Sequence, residues 1–289
     1  LAVSLTTRGL QDRHWQELKE KTNIDCTDQT KDTTLTMIVG ENTNTVSKEA
    51  INVSKSIADK AGREFQIKEK LEMLENNWKG IEFGLKPHRI KGMFIIVGWG
   101  DIYKVLDEDV QEVQQLEVNP YKEHFINEIT EWSKSFQNIT DILEALSKLQ
   151  TKWYQLQPIF ESPDITKSIP HDASIFAKAD KSYKEIIRGL KDSTNVKVVC
   201  NKEGLLAKIN ESNEWLEQVE KGLNDYIEKK KVLFPRFYFL SNETLLKILS
   251  ETKDLNRVKE NLKNIFENIH NIELQDEKLI LKMISNLGE

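Results

Sequence analysis

Cysteine is nearly absent from this sequence: Cys26 and Cys200 are the only two, far apart and in no Cys-x-x-Cys spacing. A disulfide framework and a cysteine zinc site are therefore poor readings, and both residues are read as free thiols of a reducing compartment. The five histidines are scattered, with no His-x-x-x-His pair that a helix could turn towards one metal ion. Proline (6) and glycine (12) are sparse for 289 residues, which argues against a disordered chain or a turn-rich β fold. No apolar run approaches the roughly 18 residues of a membrane span. A basic signal-peptide start is also missing, and the chain opens at Leu1, so it is expected to be a piece of a longer polypeptide. Positive charge is not in excess. The formal net charge of −6 argues against a general binder of nucleic acid or of anionic membrane. The run Lys229-Lys230-Lys231 lies beside acidic residues and reads as a solvated helix face.

Catalytic motifs are missing as well. A P-loop needs Gly-x-x-x-x-Gly-Lys-Ser/Thr, because backbone amides and a lysine must wrap the phosphates. Gly189-Leu190-Lys191-Asp192-Ser193-Thr194 has similar letters in the wrong arrangement, with an Asp where phosphate would be repelled. There is no Gly-x-Ser-x-Gly and no dinucleotide-binding glycine set. Asp107-Glu108-Asp109 is a carboxylate cluster, but with 47 acidic residues in the chain it reads as a solvated helix start and not as an acid–base pair. No catalytic, cofactor-binding or metal-ligating residue is assigned.

What is present is helical periodicity and charge. Residues 13–18 read as a short helix, and residues 25–47, rich in Thr, Asp and Asn, as a loop with a short extended piece at Leu35–Val39. Residues 48–78 predict a long helix, with Ile51, Ala58, Ala61, Phe65, Leu71, Leu74 and Trp78 on one face. Five glycines and Pro87 fall in residues 80–100; Ile81–Leu85 and Met93–Val97 are read as a small β-hairpin leading into a short helix at Trp99-Gly100-Asp101. Residues 121–157 carry the strongest signal. Phe125, Ile129, Trp132, Phe136, Ile139, Leu143, Leu146 and Trp153 form a heptad-like, coiled-coil-type seam in which Gln150 fills one place. That helix would be about 55 Å long and is expected to stop at Pro158. A proline-rich connector over 158–173 precedes a helix from about Ala173 to Leu190 with Asp172 as its cap. Val196–Val199 reads as a second extended piece. A further seam runs through Leu205, Ile209, Ser212, Leu216, Val219, Leu223 and Tyr226. Two short helices close the chain, one capped by Ser241 or Asn242, the other by Asp254 with Val258, Leu262, Phe266 and Ile269 as its apolar face; no element is assigned from Asn271 onward.

The densest aromatic stretch is Phe234-Pro235-Arg236-Phe237-Tyr238-Phe239-Leu240. It reads as a corner between helices packed into the core, since aromatics bury large areas and set an angle between elements. The competing reading is a contact patch for a partner.

Three runs carry a family resemblance. They are Gly222 to Lys231, Phe234-Pro235-Arg236-Phe237-Tyr238-Phe239-Leu240-Ser241-Asn242-Glu243, and Leu245 to Asp254. Together they closely resemble the linker of dynein heavy chains. Trp153-Tyr154-Gln155-Leu156-Gln157-Pro158-Ile159-Phe160 with Asp164-Ile165 and Pro170 resembles another signature of that region, and Arg13-His14-Trp15 its start. Ser241-Asn242, where cytoplasmic dyneins usually carry Gly-Asp, is similar to the axonemal type. The resemblance implies a mainly α fold, an elongated multi-helix bundle with a small β-hairpin. Residues 1–79 would form an N-terminal subdomain, 80–157 the hairpin and long seam helix, and 158–289 a C-terminal subdomain leading toward an AAA+ ring. It implies a mechanical lever that bends and straightens across that ring, with flexing expected near 80–100 and 158–173. ATP and Mg would be bound by the ring and not by this segment. Implied partners are the ring of the same chain, other dynein heavy, intermediate and light chains, and microtubules, at the axoneme of a cilium or flagellum, with no nucleic acid and no membrane. Trp153, Phe160, Phe234, Pro235, Arg236, Phe237 and Phe239 are the candidate structural or contact residues. A non-motor helical scaffold is the alternative.

Overall fold

The computed structural model describes residues 6–22, 48–250, 265–275, 279–285 and 287. Among these the chain is mainly α-helical, with nine α-helices and two antiparallel two-stranded sheets. The helices are α1 (Asp12–Thr22), α2 (Lys48–Lys79), α3 (Trp99–Glu117), α4 (Ile126–Phe160), α5 (Pro163–Ser168), α6 (Pro170–Asp192), α7 (Val196–Cys200), α8 (Leu205–Leu233) and α9 (Asn242–Ser250). Strands β1 (Gly84–Pro87) and β2 (Phe94–Val97) form one hairpin, β3 (Ile269–Gln275) and β4 (Leu279–Ser285) the other. The readings at 25–47 and of the helix capped by Asp254 fall outside the described residues.

The chain packs as two compact units, one of Leu1–Glu82, Gly98–Asn138 and Asn195–Lys197, the other of Phe83–Val97, Ile139–Thr194 and Val198–Glu289. In the first unit α1 lies on α2 through Trp15, Leu18 and Ile57. Beside them is a buried polar group. His14 Nε2 stands 3.1 Å from Glu64 Oε2, which also pairs with Arg13. The Gln11 amide donates to His14 Nδ1 at 3.1 Å, so the ring proton sits on Nε2 and points at Glu64. Deeper in the unit, Trp78 packs on Phe136 (5.1 Å between ring centroids) and Phe136 on Trp132. The Trp78 indole N–H donates to Asp109 at 2.7 Å; burial pushes that carboxyl up despite the bond. Lys197 lies over Trp132, 3.8 Å from the ring centroid, and pairs with Glu75 at 2.6 Å. Asp107-Glu108-Asp109 thus lies inside α3, with Asp109 serving a tryptophan.

The second unit is built on facing stripes of α4, α6 and α8: Ile139, Leu143, Leu146 and Trp153; Ala179, Tyr183, Ile187 and Leu190; Ile209, Leu216, Val219, Leu223 and Ile227, all buried. Polar side chains in these stripes are matched to one another. Ser212 donates to Ser182 at 2.8 Å, and Asn213 Nδ2 to the Ala145 carbonyl at 2.9 Å. Gly222 lets α8 approach α6, because a Cβ there would meet the Asp172 carboxyl group.

The structure corrects the sequence reading at several places. Helix α4 passes through Pro158 and ends at Phe160. The lost ladder bond falls in the last turn, and burial of Leu156 and Phe160 outweighs it. Helix α6 begins at Pro170, with Ile169 in the cap position and Asp172 only in the first turn; proline is preorganised for that first position. Val196–Cys200 is helical although its valines favour strands, because Val196, Val199 and Cys200 are buried at helical spacing. Helix α3 runs 19 residues, started by Gly98 at φ 76, a left-handed conformation that glycine adopts without steric cost. The tail is the β3–β4 hairpin, so Ile269 opens a strand.

Candidate contact surface

The candidate residues divide between two places in the second unit. Trp153 is fully buried (0% exposed). Its ring stacks on Tyr183 at 4.4 Å, its indole N–H donates to Asp180 at 2.9 Å, and His88 meets it edge-on at 5.3 Å. Gln150, one turn earlier on α4, faces the hairpin. It accepts from the Ile96 amide at 2.7 Å, donates to the Ile96 carbonyl at 2.8 Å and accepts from the Tyr183 hydroxyl at 3.1 Å. The glutamine interrupts the apolar seam because it completes the hydrogen bonds of β2. Arg89 adds a second tie between hairpin and helix, to Gln157 at 2.6 Å and Glu161 at 2.8 Å. Phe160 is buried against Phe176, stacked at 4.7 Å.

The other candidates sit at the corner between α8 and α9, and there the sequence reading needs correction. The corner is not a core plug. Phe234 is 38% exposed, Tyr238 55% and Phe239 79%, with Val232 and Leu233 exposed beside them. Pro235–Phe239 is a 3-10 helix. With three residues per turn, Phe234 and Phe237 come together, edge to face at 4.8 Å, while Tyr238 and Phe239 point to other sides. Leu240 alone of the run is buried. Arg236 holds its guanidinium over Phe266, 4.9 Å from the centroid. The corner is fixed from below by Lys231. Its ammonium is buried, donates to Asn242 at 2.7 Å and Glu228 at 3.1 Å, and lies 5.6 Å from the Tyr238 ring centroid. Ser241 accepts from the Thr244 amide at 3.2 Å and so caps α9.

This arrangement holds an aromatic ridge outward on a braced support, which suits binding. Next to α9 a groove of about 800 Å³ is walled by Tyr154, Pro158, Leu223 and Leu246, with Glu161, Glu220 and Glu243 at its rim. Among the described residues no group of three or more His, Cys, Asp or Glu is placed to hold a metal ion, and no helix is long and apolar enough to cross a membrane. Burial pushes the Cys200 thiol up to about 12, so the sulfur stays protonated and unreactive.

The sequence is matched along its whole length, residues 1–289, by the family described as dynein heavy chain, N-terminal region 2. The chain belongs to the dynein heavy chain family. It is 31% identical over 292 residues to dynein axonemal heavy chain 1 of Mus musculus, covering 100% of this chain and 7% of that protein. To dynein axonemal heavy chain 12 of Rattus norvegicus it is 33% identical over 286 residues (99% and 9%). To dynein axonemal heavy chain 3 of Homo sapiens it is 33% identical over 281 residues (97% and 7%). The chain thus spans less than a tenth of the length of these curated relatives. Within this dynein segment, sequence reasoning named the aromatic ridge but missed Val232 and Leu233, which widen it, and left Tyr238 of the same run off the candidate residues. The available signal was that Val232 and Leu233 lie off the stripe that ends in Leu223 and Ile227.

Proposed function

We propose that this segment is the linker of an axonemal dynein heavy chain, a lever that bends and straightens across the AAA+ ring of the same polypeptide and so moves microtubules in a cilium or flagellum. The observation that carries this reading is similarity over the full chain to heavy chains whose names are all axonemal. The packing supports it. A dense, buried core of interdigitated side chains deforms little under load, and the second unit ties its hairpin to α4 through Gln150 and Arg89. ATP turnover belongs to the ring, and this segment contributes no catalytic group. The aromatic ridge Phe234–Phe239 is the surface through which the lever meets the rest of its heavy chain, and other dynein subunits assemble with the same polypeptide. The bend falls in residues 80–100 or 158–173.

The test is gliding of microtubules over full-length heavy chain carrying Phe234→Ser and Phe239→Ser. A fall in velocity with microtubule attachment retained is the expected result. Unchanged velocity would count against the ridge as a working contact. A disulfide that stiffens residues 158–173 should also slow gliding, and unchanged speed there would move the bend elsewhere.

A further inference from the structure

The β3–β4 ribbon has two strands of different character. Strand β3, Ile-His-Asn-Ile-Glu-Leu-Gln, mixes polar and apolar residues, as an edge strand does; β4, Leu-Ile-Leu-Lys-Met-Ile-Ser, is a nearly continuous apolar run. Runs of that kind mark strands covered on both faces, which lie inside a sheet. Yet Ile280 is 54% exposed, Leu281 59% and Met283 64%. The register pairs Glu273 with Lys282 and Leu274 with Ile280, leaving Leu281 as an extra, bulged residue of β4. Ile280 and Met283, opposite Leu274 and Ile272 on β3, therefore share one face of the ribbon and leave it uncovered. Natural edge strands are blunted with charge or proline. The one charged residue of β4, Lys282, is turned to its neighbour Glu273 on β3 at 3.5 Å. A two-stranded ribbon is marginal in water by itself.

We propose that β4 is an interior strand, and that a third strand from the same heavy chain, supplied by the polypeptide beyond residue 289, pairs along its outer edge. The occupant is assigned to the same chain because the matched family is an N-terminal region of the heavy chain, the stretch is only 7–9% of the relatives' length, and the ribbon lies at the end of that stretch. A tethered strand arrives at high effective concentration, which a free partner must match by affinity. The proposal rests on family membership and not on the lever reading; gliding assays leave it untouched.

Two measurements on full-length heavy chain test it. In hydrogen exchange of the unmodified protein, the amides of Ile280 to Ile284 should all be slow, since a strand between two neighbours bonds on both sides. Alternating fast and slow amides along β4, the pattern of an edge strand, would overturn the proposal. With a photo-crosslinking residue in place of Leu281, and separately of Met283, the adduct should map within the same polypeptide to a residue beyond 289. An adduct to a second heavy-chain copy, to another protein, only within residues 1–289, or no adduct at all, would overturn it.

Discussion

Trp153 with its neighbours and the Phe234–Phe239 ridge are the two aromatic concentrations of the second unit, and they meet opposite fates. Trp153 is enclosed by Tyr183 and His88, with its indole N–H satisfied by Asp180. The ridge, richer in aromatics, stands largely in solvent. The difference lies in spacing. Trp153 occupies the seam position of a 35-residue helix, so the helical repeat delivers it to the core whatever its own size. The ridge occupies a five-residue 3-10 turn opened by Pro235, too short to present one continuous face. Aromatic density alone therefore predicts neither burial nor function; the phase of the element that carries the rings decides.

Substitutions should separate the two places, beginning with the largest effect. Trp153→Ala should lower the stability of the chain by about 3–5 kcal/mol, read by urea unfolding; a loss under about 1 kcal/mol would mean the site refills easily. Gln150→Leu keeps a side chain of similar length but strands the Ile96 amide and carbonyl. A loss of about 1–3 kcal/mol is expected, together with faster hydrogen exchange at Ile96.

A pH titration probes the first unit. Burial, the leading cause, lowers the His14 pKa below its ordinary 6.5, against the pull of Glu64. The unfolded chain therefore takes up a proton near pH 6.5 that the folded chain refuses. Stability should be level above that pH and fall as the pH drops beneath it. The carboxylates Glu17 and Glu75, held below their ordinary 4.5 chiefly by hydrogen bonds from Lys21 and Lys197, lose their contribution at lower pH still. His14→Gln should flatten the upper part of the curve; a slope that survives would assign it to another group. The smallest stability change is expected from Phe239→Ser, within about 0.5 kcal/mol by thermal unfolding. A larger loss would mean that the ridge is structural after all.

Much of the fold was legible in the sequence where the helical repeat is long. The stripes of α2, α4 and α8 follow the predicted repeat, although α2 also buries Ile57 and Ile67 and leaves Ile51 and Phe65 half-buried, and α8 ends its stripe on Ile227 in place of Tyr226. The hairpin is present, with its first strand at Gly84–Pro87 and not at Ile81–Leu85. Short elements were not legible, because local preference and tertiary demand disagree there. The valines of α7 favour a strand but are buried in helical phase, and Pro158 breaks helices but sits where one lost bond is affordable. No periodic signal marks Glu64 or His14 as buried, and only their mutual pairing explains their burial. The aromatic density of the Phe234–Phe239 run was plain in the sequence, yet its exposure depended on a turn geometry that composition does not encode.

The proposed lever requires that this segment move relative to the AAA+ ring proposed for the same polypeptide. The direct measurement is energy transfer in full-length heavy chain between a fluorescent amino acid at exposed Val118 and an acceptor on the ring, followed through the nucleotide cycle. A lever predicts transfer efficiency that switches between nucleotide states in step with turnover. An efficiency that stays constant while the motor continues to move microtubules would contradict it.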